Sequence, residues 1–375
     1  TNGTGATFSN IYKTIDWKAI NMSFSTGSGG TSHKVTWNFG QKTFAHTAPT
    51  GFSSLQQDNF PETSKGVTGL TWIKDRDNTY SHGLRDSSRG RHKDIFTNLT
   101  QAEVTNTDGV QKFLKGGIEI EDLLGLNKSG SSIVSWNWVA NGGTEVANTD
   151  GSGSALSCTT QANQTAGFSI VRWSGNGGQT QVAHGLSQAP EMVWQKRLDD
   201  TSDWWVYTTK GPNAYNYTKL NANNAWSNYS QTAPSAKTFT SHGWGSYPMV
   251  GYCWHSVRGY SKIGSYLGNA NADGPYVYTG FKPTFILFKS NNTAYWHLSD
   301  RTRQRFNPNF KVLYPGLTNA EADNSSADLD YLSNGFKIRQ GNNLNLNYSG
   351  VITLYMAFAE HPFAGTSSIN PATAH

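Results

Sequence analysis

The sequence has few charged residues. Asp, Glu, Lys and Arg make up 15% of its 375 residues, whereas an ordinary soluble domain has about 25%. The formal net charge is +5, and no long block of Lys or Arg concentrates it. A nucleic-acid-binding protein usually gathers its positive charge on one face. We therefore expect no nucleic-acid partner.

Sulfur and long apolar runs are also scarce. Two cysteines, Cys158 and Cys253, cannot build a disulfide framework, and their spacing is not that of metal ligands. No apolar run approaches the roughly 18 residues that a membrane span requires. We predict no cofactor, no metal and no membrane insertion. Stability must then come from packing, and we expect association with further copies of the chain.

Small polar residues and aromatics take the place of the missing charge. The chain has 39 Gly and 13% Phe, Trp and Tyr, and it is rich in Asn, Ser and Thr. Asn, Gly and Ser favour turns, and Thr and the aromatic residues favour strands. The composition predicts an all-β protein with many short strands and very little helix.

An internal repeat is the main feature of the chain. Residues 168–177 (FSIVRWSGNG) match residues 261–270 (SKIGSYLGNA), with an aromatic residue, one spacer and then Gly-Asn. At the same offset, residues 189–196 (APEMVWQK) match 282–289 (KPTFILFK). A third copy, TGLTWIK, lies at residues 68–74. Each copy ends in Lys, and a polar turn and a second short strand follow.

Strand-length runs bounded by turn residues are typical of β-sandwiches. The repeats predict tandem β-sandwich domains of jelly-roll or lectin-like type at 66–140, 167–256 and 257–375. Residues 141–166 are rich in Gly, Asn, Thr and Ser, which predicts a linker or a long loop. Residues 110–126 are broken by Gly116 and Gly117, so we interpret them as strand or loop and not as helix.

The first 65 residues do not fit the repeat. They contain NFGQ at residues 38–41, followed by Phe44, Pro49 and Gly51-Phe52. This segment resembles the closing strand and tail of SPRY/concanavalin-like sandwich domains of phage proteins. The resemblance implies that residues 1–65 are the C-terminal part of such a domain and that the parent polypeptide is longer.

The chain from residue 66 to residue 364 resembles uncharacterised repeat domains of tail-fibre and virion proteins of marine phages. The resemblance lies in WIKDR (72–76), GYSKIGSY (259–266), DGPYVYTGFKP (273–283) and YMAFAEHPF (355–363). It implies a location in the virion and assembly with other virion proteins. It also implies a homotrimer or another homo-oligomer.

One polar motif occurs twice. DSSRGR at residues 86–91 aligns with DRTRQR at residues 300–305. The planar guanidinium group of Arg suits paired hydrogen bonds with carboxylates or acidic sugars. Two interpretations are open, a structural Asp–Arg latch and an anion site, and recurrence favours the latch. Repeat two has Thr208-Thr209-Lys210 in this place. The candidate residues are Asp86, Arg89, Arg91, Asp300, Arg303 and Arg305.

Repeat two carries a dense group of aromatic residues. Exposed aromatic clusters mark binding surfaces, and sugar rings stack on them, but alternating aromatics are more often core. The hypothesis is a host-glycan site, with the loop of residues 221–226 as its most exposed part. Its candidate residues are Trp204, Trp205, Trp226, Tyr229 and Trp244.

Signals for catalysis are weak. The chain has no nucleophile elbow or phosphate loop, and its clustered acidic residues lie in polar turns. We therefore predict that the protein is not an enzyme. The favoured hypothesis is a phage fibre or appendage segment located in the virion, with surfaces that bind the host or its glycans. A secreted carbohydrate-binding lectin-like module is the alternative, and a polysaccharide depolymerase is the third.

Overall fold

The structure is a computed structural model. It describes residues 69–114, 117–140, 145–148, 155–242, 245–325 and 328–360. Chain contacts divide the protein into Thr1–Asn59 and Phe60–His375, and all described residues belong to the second unit. The predicted SPRY/concanavalin-like tail lies outside the described residues.

The described part of the chain contains strands and no helix, which confirms the all-β prediction. In repeat one the strands are β1 (Gly69–Asp75), β2 (Gly83–Asp86), β3 (Lys93–Phe96), β4 (Val104–Thr105), β5 (Val110–Leu114), β6 (Gly117–Ile120) and β7 (Ile133–Val139). Before and within repeat two they are β8 (Val146–Asn148), β9 (Cys158–Asn163), β10 (Phe168–Ser174), β11 (Gln181–Ala183), β12 (Met192–Arg197), β13 (Trp205–Thr208), β14 (Asn216–Lys219), β15 (Ser227–Asn228), β16 (Thr238–Thr240) and β17 (Pro248–Trp254). In repeat three they are β18 (Ser261–Leu267), β19 (Tyr276–Tyr278), β20 (Pro283–Ser290), β21 (His297–Asp300), β22 (Lys311–Val312), β23 (Ala322–Asp323), β24 (Leu329–Leu332), β25 (Gly335–Ile338) and β26 (Ile352–Ala359).

Each repeat builds one main antiparallel sheet with a common strand arrangement. The sheet orders are β4-β3-β2-β1-β7, β15-β14-β13-β12-β17-β10-β9-β8 and β18-β26-β20-β21. In every sheet the closing strand of the repeat pairs with the strand that carries the repeated Lys. The registers agree, because they place Trp72 opposite Trp136, Trp194 opposite Tyr252, and Leu287 opposite Met356.

The three main sheets bury one face in a single shared core. Buried residues from all three repeats form one hydrophobic cluster. Trp72 in this cluster makes edge-to-face contacts with Trp136 at 5.3 Å, Trp194 at 5.8 Å and Phe285 at 6.4 Å between ring centroids. The three predicted sandwiches therefore share one hydrophobic core. The domain boundaries proposed from the sequence stay predictions.

The outer face of each main sheet has its own smaller core. The hairpin of β5 and β6 packs with Ile73 in repeat one. The pair β11 and β16 adds Val182 and Phe239 to the outer core of repeat two, and strands β19-β25-β24 cover repeat three. Because both faces of β1, β12 and β20 are covered, these strands are buried along nearly their whole length and do not alternate.

The Lys near the end of each repeated strand is fully buried and satisfies a turn. An ammonium group has three donors and no acceptor, so it suits a turn with unpaired carbonyls. Burial lowers the pKa of Lys74 and Lys196 to about 8 and that of Lys289 to about 7. The main-chain acceptors include the carbonyls of Asn78 for Lys74 at 2.8 Å, Ser202 for Lys196 at 2.9 Å, and Ala294 for Lys289 at 2.8 Å.

Two further segments contain strands. Residues 110–126 include the hairpin of β5 and β6, in agreement with the strand interpretation. The segment predicted as a linker or long loop, 141–166, contains β8 and β9, which extend the second main sheet beyond β10. The polar composition suits the edge strand β8, in which Val146 and Ala147 are exposed.

Candidate functional site

Two of the aromatic residues predicted to bind glycans lie in the shared core. Trp204 is 0% exposed and Trp226 is 7% exposed, so neither offers a ring face to a sugar. The expectation of an exposed Trp226 is wrong, because its indole packs against Trp296 of repeat three at 5.8 Å. The internal repeat offered a sequence signal for this burial, since Trp204 and Trp296 occupy equivalent positions directly before β13 and β21.

The buried indoles of Trp204 and Trp296 connect neighbouring repeats. Trp204 Nε1 donates to the carbonyl of Phe96 in repeat one at 2.8 Å. Trp296 Nε1 donates to the carbonyl of Lys219 in repeat two at 2.8 Å. A buried Trp usually satisfies its single N–H, and here the acceptor belongs each time to the preceding repeat. The two bonds therefore fix the relative positions of the repeats.

The other described candidates lie on the outer side of the second sheet. Trp205 stacks on His242 with ring centroids 4.1 Å apart. Tyr229 is half-buried and packs on Tyr207 at 4.8 Å between centroids. Trp244 lies outside the described residues. Trp205 lines a cleft, so one residue of the predicted aromatic site remains beside open space.

Both Asp–Arg motifs are buried ion pairs with the same geometry. The Arg89 Nε–Asp86 Oδ2 and Arg303 Nε–Asp300 Oδ2 distances are both 2.5 Å. Each guanidinium also donates to the carbonyl of the Leu two residues before its Asp, at 2.9 Å and 3.1 Å. Because their charges are paired and covered, these groups form structural latches. The two remaining candidates of the motif, Arg91 and Arg305, are exposed.

Sequence reasoning missed a third member of each latch. Arg89 Nη1 contacts Glu103 Oε2 at 3.1 Å, and Arg303 Nη1 contacts Glu321 Oε2 at 2.7 Å. Burial alone would lower the pKa of Arg89, but the carboxylates of Asp86 and Glu103 raise it above its ordinary value. The two glutamates follow their Asp at different spacings, so the motif carried no signal for them.

Each latch is also bonded to another repeat. The hydroxyl of Tyr252 in repeat two donates to Asp86 in repeat one at 2.6 Å. The indole of Trp136 in repeat one donates to Asp300 in repeat three at 3.2 Å. Tyr252 and Trp136 are equivalent in register on their closing strands. The latches therefore join the repeats as well as close their own turns.

The corresponding positions of repeats two and three hold neither the Asp of the latch nor its hydrogen-bond donor. Thr208 holds the position of the two aspartates in repeat two, opposite Met192. Met356 holds the position of the two donors in repeat three, opposite Leu287. The carboxylate and its donor are therefore replaced together.

Two clefts lie at one end of the second main sheet. Cys158, Trp173, Met249 and Arg197 are cross-strand neighbours on β9, β10, β17 and β12. Arg197 borders a cleft of about 250 Å³, and Cys158 borders a more open one of about 450 Å³. Trp173 and Met249 line both clefts, so the two spaces adjoin.

The smaller cleft combines aromatic walls with paired charges. The guanidinium of Arg197 lies 3.4 Å from the centre of the Tyr247 ring. Burial raises the pKa of Asp203, but hydrogen bonds from Asn221 and Lys219 outweigh that effect and lower it below its ordinary value. Burial lowers the pKa of the wall residue His242 to about 4, so a neutral imidazole lies in the same wall at neutral pH.

Two kinds of feature are absent from the described residues. In this part of the chain no group of His, Cys, Asp and Glu is arranged to hold a metal ion. Within the same residues no helix is long and apolar enough to cross a membrane.

The fold and the clefts define an all-β protein in which three sandwich-type repeats share one core. The chain belongs to the family described as Domain of unknown function (DUF7483), whose model matches residues 44–362. No curated protein and no solved structure matches the chain.

Buried histidines predict a loss of stability in mild acid. Burial lowers the pKa of His184 and His242 from 6.5 to about 4 and that of His297 to about 3. His184 Nδ1 also accepts a hydrogen bond from the amide of Leu186 at 3.1 Å, which protonation would abolish. Below its ordinary pKa each histidine binds a proton more readily in the unfolded chain, so the free energy of unfolding falls as the pH decreases.

Urea titrations at about pH 7.5 and about pH 5.5 test this dependence. We expect the free energy of unfolding to drop by about 1 kcal/mol for each such histidine over this interval. His184→Gln should reduce the decrease in the free energy of unfolding between the two pH values by the contribution of one histidine. A stability that stays unchanged across the interval would contradict the prediction.

Proposed function

We propose that this chain is a structural segment of a phage virion, part of a fibre or appendage, that displays a surface for host glycans. The observation that carries the proposal is that buried hydrogen bonds from indoles and to the Asp–Arg latches join the three repeats. Both cysteines are free and buried. The packing of the three repeats therefore does not depend on a disulfide between them.

A core shared by three repeats suits a protein of an extracellular particle. A protein on a particle surface must stay folded for long periods outside a cell. A large shared hydrophobic core favours slow unfolding. The resemblance of residues 66–364 to virion repeat domains supports the same location. Assembly as a homotrimer or another homo-oligomer, with other virion proteins, is part of the proposal.

Mass spectrometry of purified particles tests the location. Particles from a culture that carries the gene, banded on a density gradient, should contain peptides of this chain in amounts comparable to the major structural proteins. Light scattering of the isolated full-length protein should give a multiple of the chain mass. Recovery of the protein only from the particle-free medium, as a monomer, would overturn the proposal.

The second candidate is a secreted lectin-like module, which the clefts of repeat two favour. The same fractionation separates the two functions. A glycan-binding protein in the particle-free fraction is the result expected for a lectin, and a particle-bound protein is the result expected for an appendage.

A further inference from the structure

We infer that the two clefts of repeat two together bind an uncharged oligosaccharide, with sugar units on both sides of Trp173 and Met249. This inference deepens the proposed function and rests on its glycan-binding part. The site then lies along a row of residues at the strand ends, and not at the core aromatics singled out from the sequence.

Continuity is the first argument for an oligomeric ligand. Trp173 and Met249 are paired across β10 and β17 and line both clefts. The clefts measure about 250 and about 450 Å³, and pockets of a few hundred Å³ hold small molecules. A chain of sugars can continue from one cleft to the other, whereas a single sugar occupies only one of them.

Trp173 supplies a hydrogen-bond donor without an acceptor. The residue is 5% exposed, and its indole nitrogen has no hydrogen-bond partner among the described residues. Its ring lies over Gly251, where an added Cβ would come within 3.0 Å of Cζ3. A buried N–H without an acceptor is unfavourable. The nitrogen itself is buried, so a hydroxyl or ring oxygen of a ligand removes that cost only if it enters the wall that the two clefts share.

The charges around the smaller cleft argue for an uncharged ligand. Arg197 Nε lies 2.6 Å from Asp199 Oδ1, and Lys219 Nζ lies 2.7 Å from Asp203 Oδ2. An anionic group would have to displace one of these carboxylates from its partner. A sugar hydroxyl both donates and accepts, so it can bond to either member of an ion pair that stays intact.

The larger cleft has the same character. Arg172 Nη1 lies 3.5 Å from Glu145 Oε2, and both residues line this space. The cation is therefore already accompanied by a carboxylate, as Arg197 is in the smaller cleft. Neither cleft offers an unaccompanied guanidinium to an acidic sugar, which favours a neutral chain along both.

The site depends on the contact between two repeats. Thr100 of repeat one lines the smaller cleft. Its carbonyl accepts hydrogen bonds from the amide of Ser202 at 2.7 Å and from Lys196 Nζ at 3.0 Å. Beside the larger cleft, Arg172 Nη1 donates to the carbonyl of Ser88, also in repeat one, at 2.8 Å. The binding surface is therefore complete only in the assembled core.

Titration calorimetry of the full chain with defined oligosaccharides tests the inference. The uncharged probes are the hexasaccharides of mannose, xylose, glucose and galactose, and the anionic probes are hexagalacturonate and a sulfated heparin hexasaccharide. We expect at least one uncharged hexasaccharide to bind, and to bind about ten-fold more tightly than its own disaccharide, because the longer chain reaches both clefts.

Three variants locate the binding. Trp173→Phe keeps an aromatic ring and removes the N–H, and we expect it to weaken the binding of the hexasaccharide by about five- to ten-fold. Tyr247→Ala should weaken it by about ten-fold or more, because it removes an aromatic wall. Tyr278→Ala is the matched control, since Tyr278 is also a surface tyrosine under a cation, with Lys262 Nζ 5.4 Å from its ring centre. It should leave the affinity unchanged.

Several results would overturn the inference. They are tighter binding of hexagalacturonate or the heparin fragment, equal affinity for the disaccharide and the hexasaccharide, an unchanged affinity in both cleft variants, and no binding of any uncharged probe. Circular dichroism of each variant shows whether a lost affinity reflects a lost fold. The location in the particle is measured separately, so the virion proposal can stand when this one fails.

Discussion

Trp72→Ala is expected to lower the free energy of unfolding by about 3–5 kcal/mol, the range for deletion of a large buried ring. Trp72 is fully buried and contacts Trp136 of its own repeat, Trp194 of repeat two and Phe285 of repeat three. The cavity left behind therefore borders three sheets at once. We expect the loss to affect all three repeats in one cooperative transition.

Guanidinium titration followed by tryptophan fluorescence and by far-ultraviolet circular dichroism measures this effect. The matched control is Phe306→Ala, because Phe306 is an aromatic residue that is 82% exposed. Its substitution should change the stability by no more than about 0.5 kcal/mol. Separate transitions for the repeats, with only one of them shifted by Trp72→Ala, would contradict the shared core.

Asp86→Ala is expected to destabilise the protein by about 3–5 kcal/mol, because it leaves the charge of Arg89 buried without its closest partner. Asp86 and the Arg89 side chain are almost completely covered. The change also removes the acceptor of the Tyr252 hydroxyl, which joins repeat two to repeat one. The expected loss thus combines an uncompensated charge with a broken contact between repeats.

The double variant Asp86→Ala/Arg89→Met separates these contributions. Removal of both charges should recover part of the loss, since an apolar replacement of a buried pair is often neutral. Asp273→Ala is the control, because Asp273 pairs with Lys337 at 2.8 Å but its side chain is 79% exposed. Its cost should be below about 1 kcal/mol. Equal losses for Asp86→Ala and Asp273→Ala, measured by urea titration, would refute the latch.

Local patterns predicted much of the fold. Alternating and apolar runs bounded by Gly, Asn and Pro located the strands, since turn chemistry and strand preference act over a few residues. The repeated Lys was visible as a position, and all three of its copies satisfy turn carbonyls. The recurrence of Asp86–Arg89 at Asp300–Arg303 pointed to a latch for the same reason, because the two members of each pair are close in the chain.

The candidate site was less accessible to sequence reasoning. Trp204 and Trp226 resembled a sugar-binding surface because the aromatic residues of repeat two are dense. Their indoles donate to the carbonyls of Phe96 and Lys289, which belong to other repeats. The cleft residues Trp173 and Met249 are far apart in the chain and meet only through the pairing of β10 and β17.

The amino-acid sequence by itself determined the all-β class, the order of strands within each repeat and the Asp–Arg pairs, because these depend on neighbours a few residues apart. Only the tertiary structure decided that three repeats share one core, that Glu103 and Glu321 complete the latches, and that a cleft opens where repeat two meets repeat one. These features arise from contacts between distant segments. Burial, which they set, decides whether an aromatic residue is a core side chain or a binding surface.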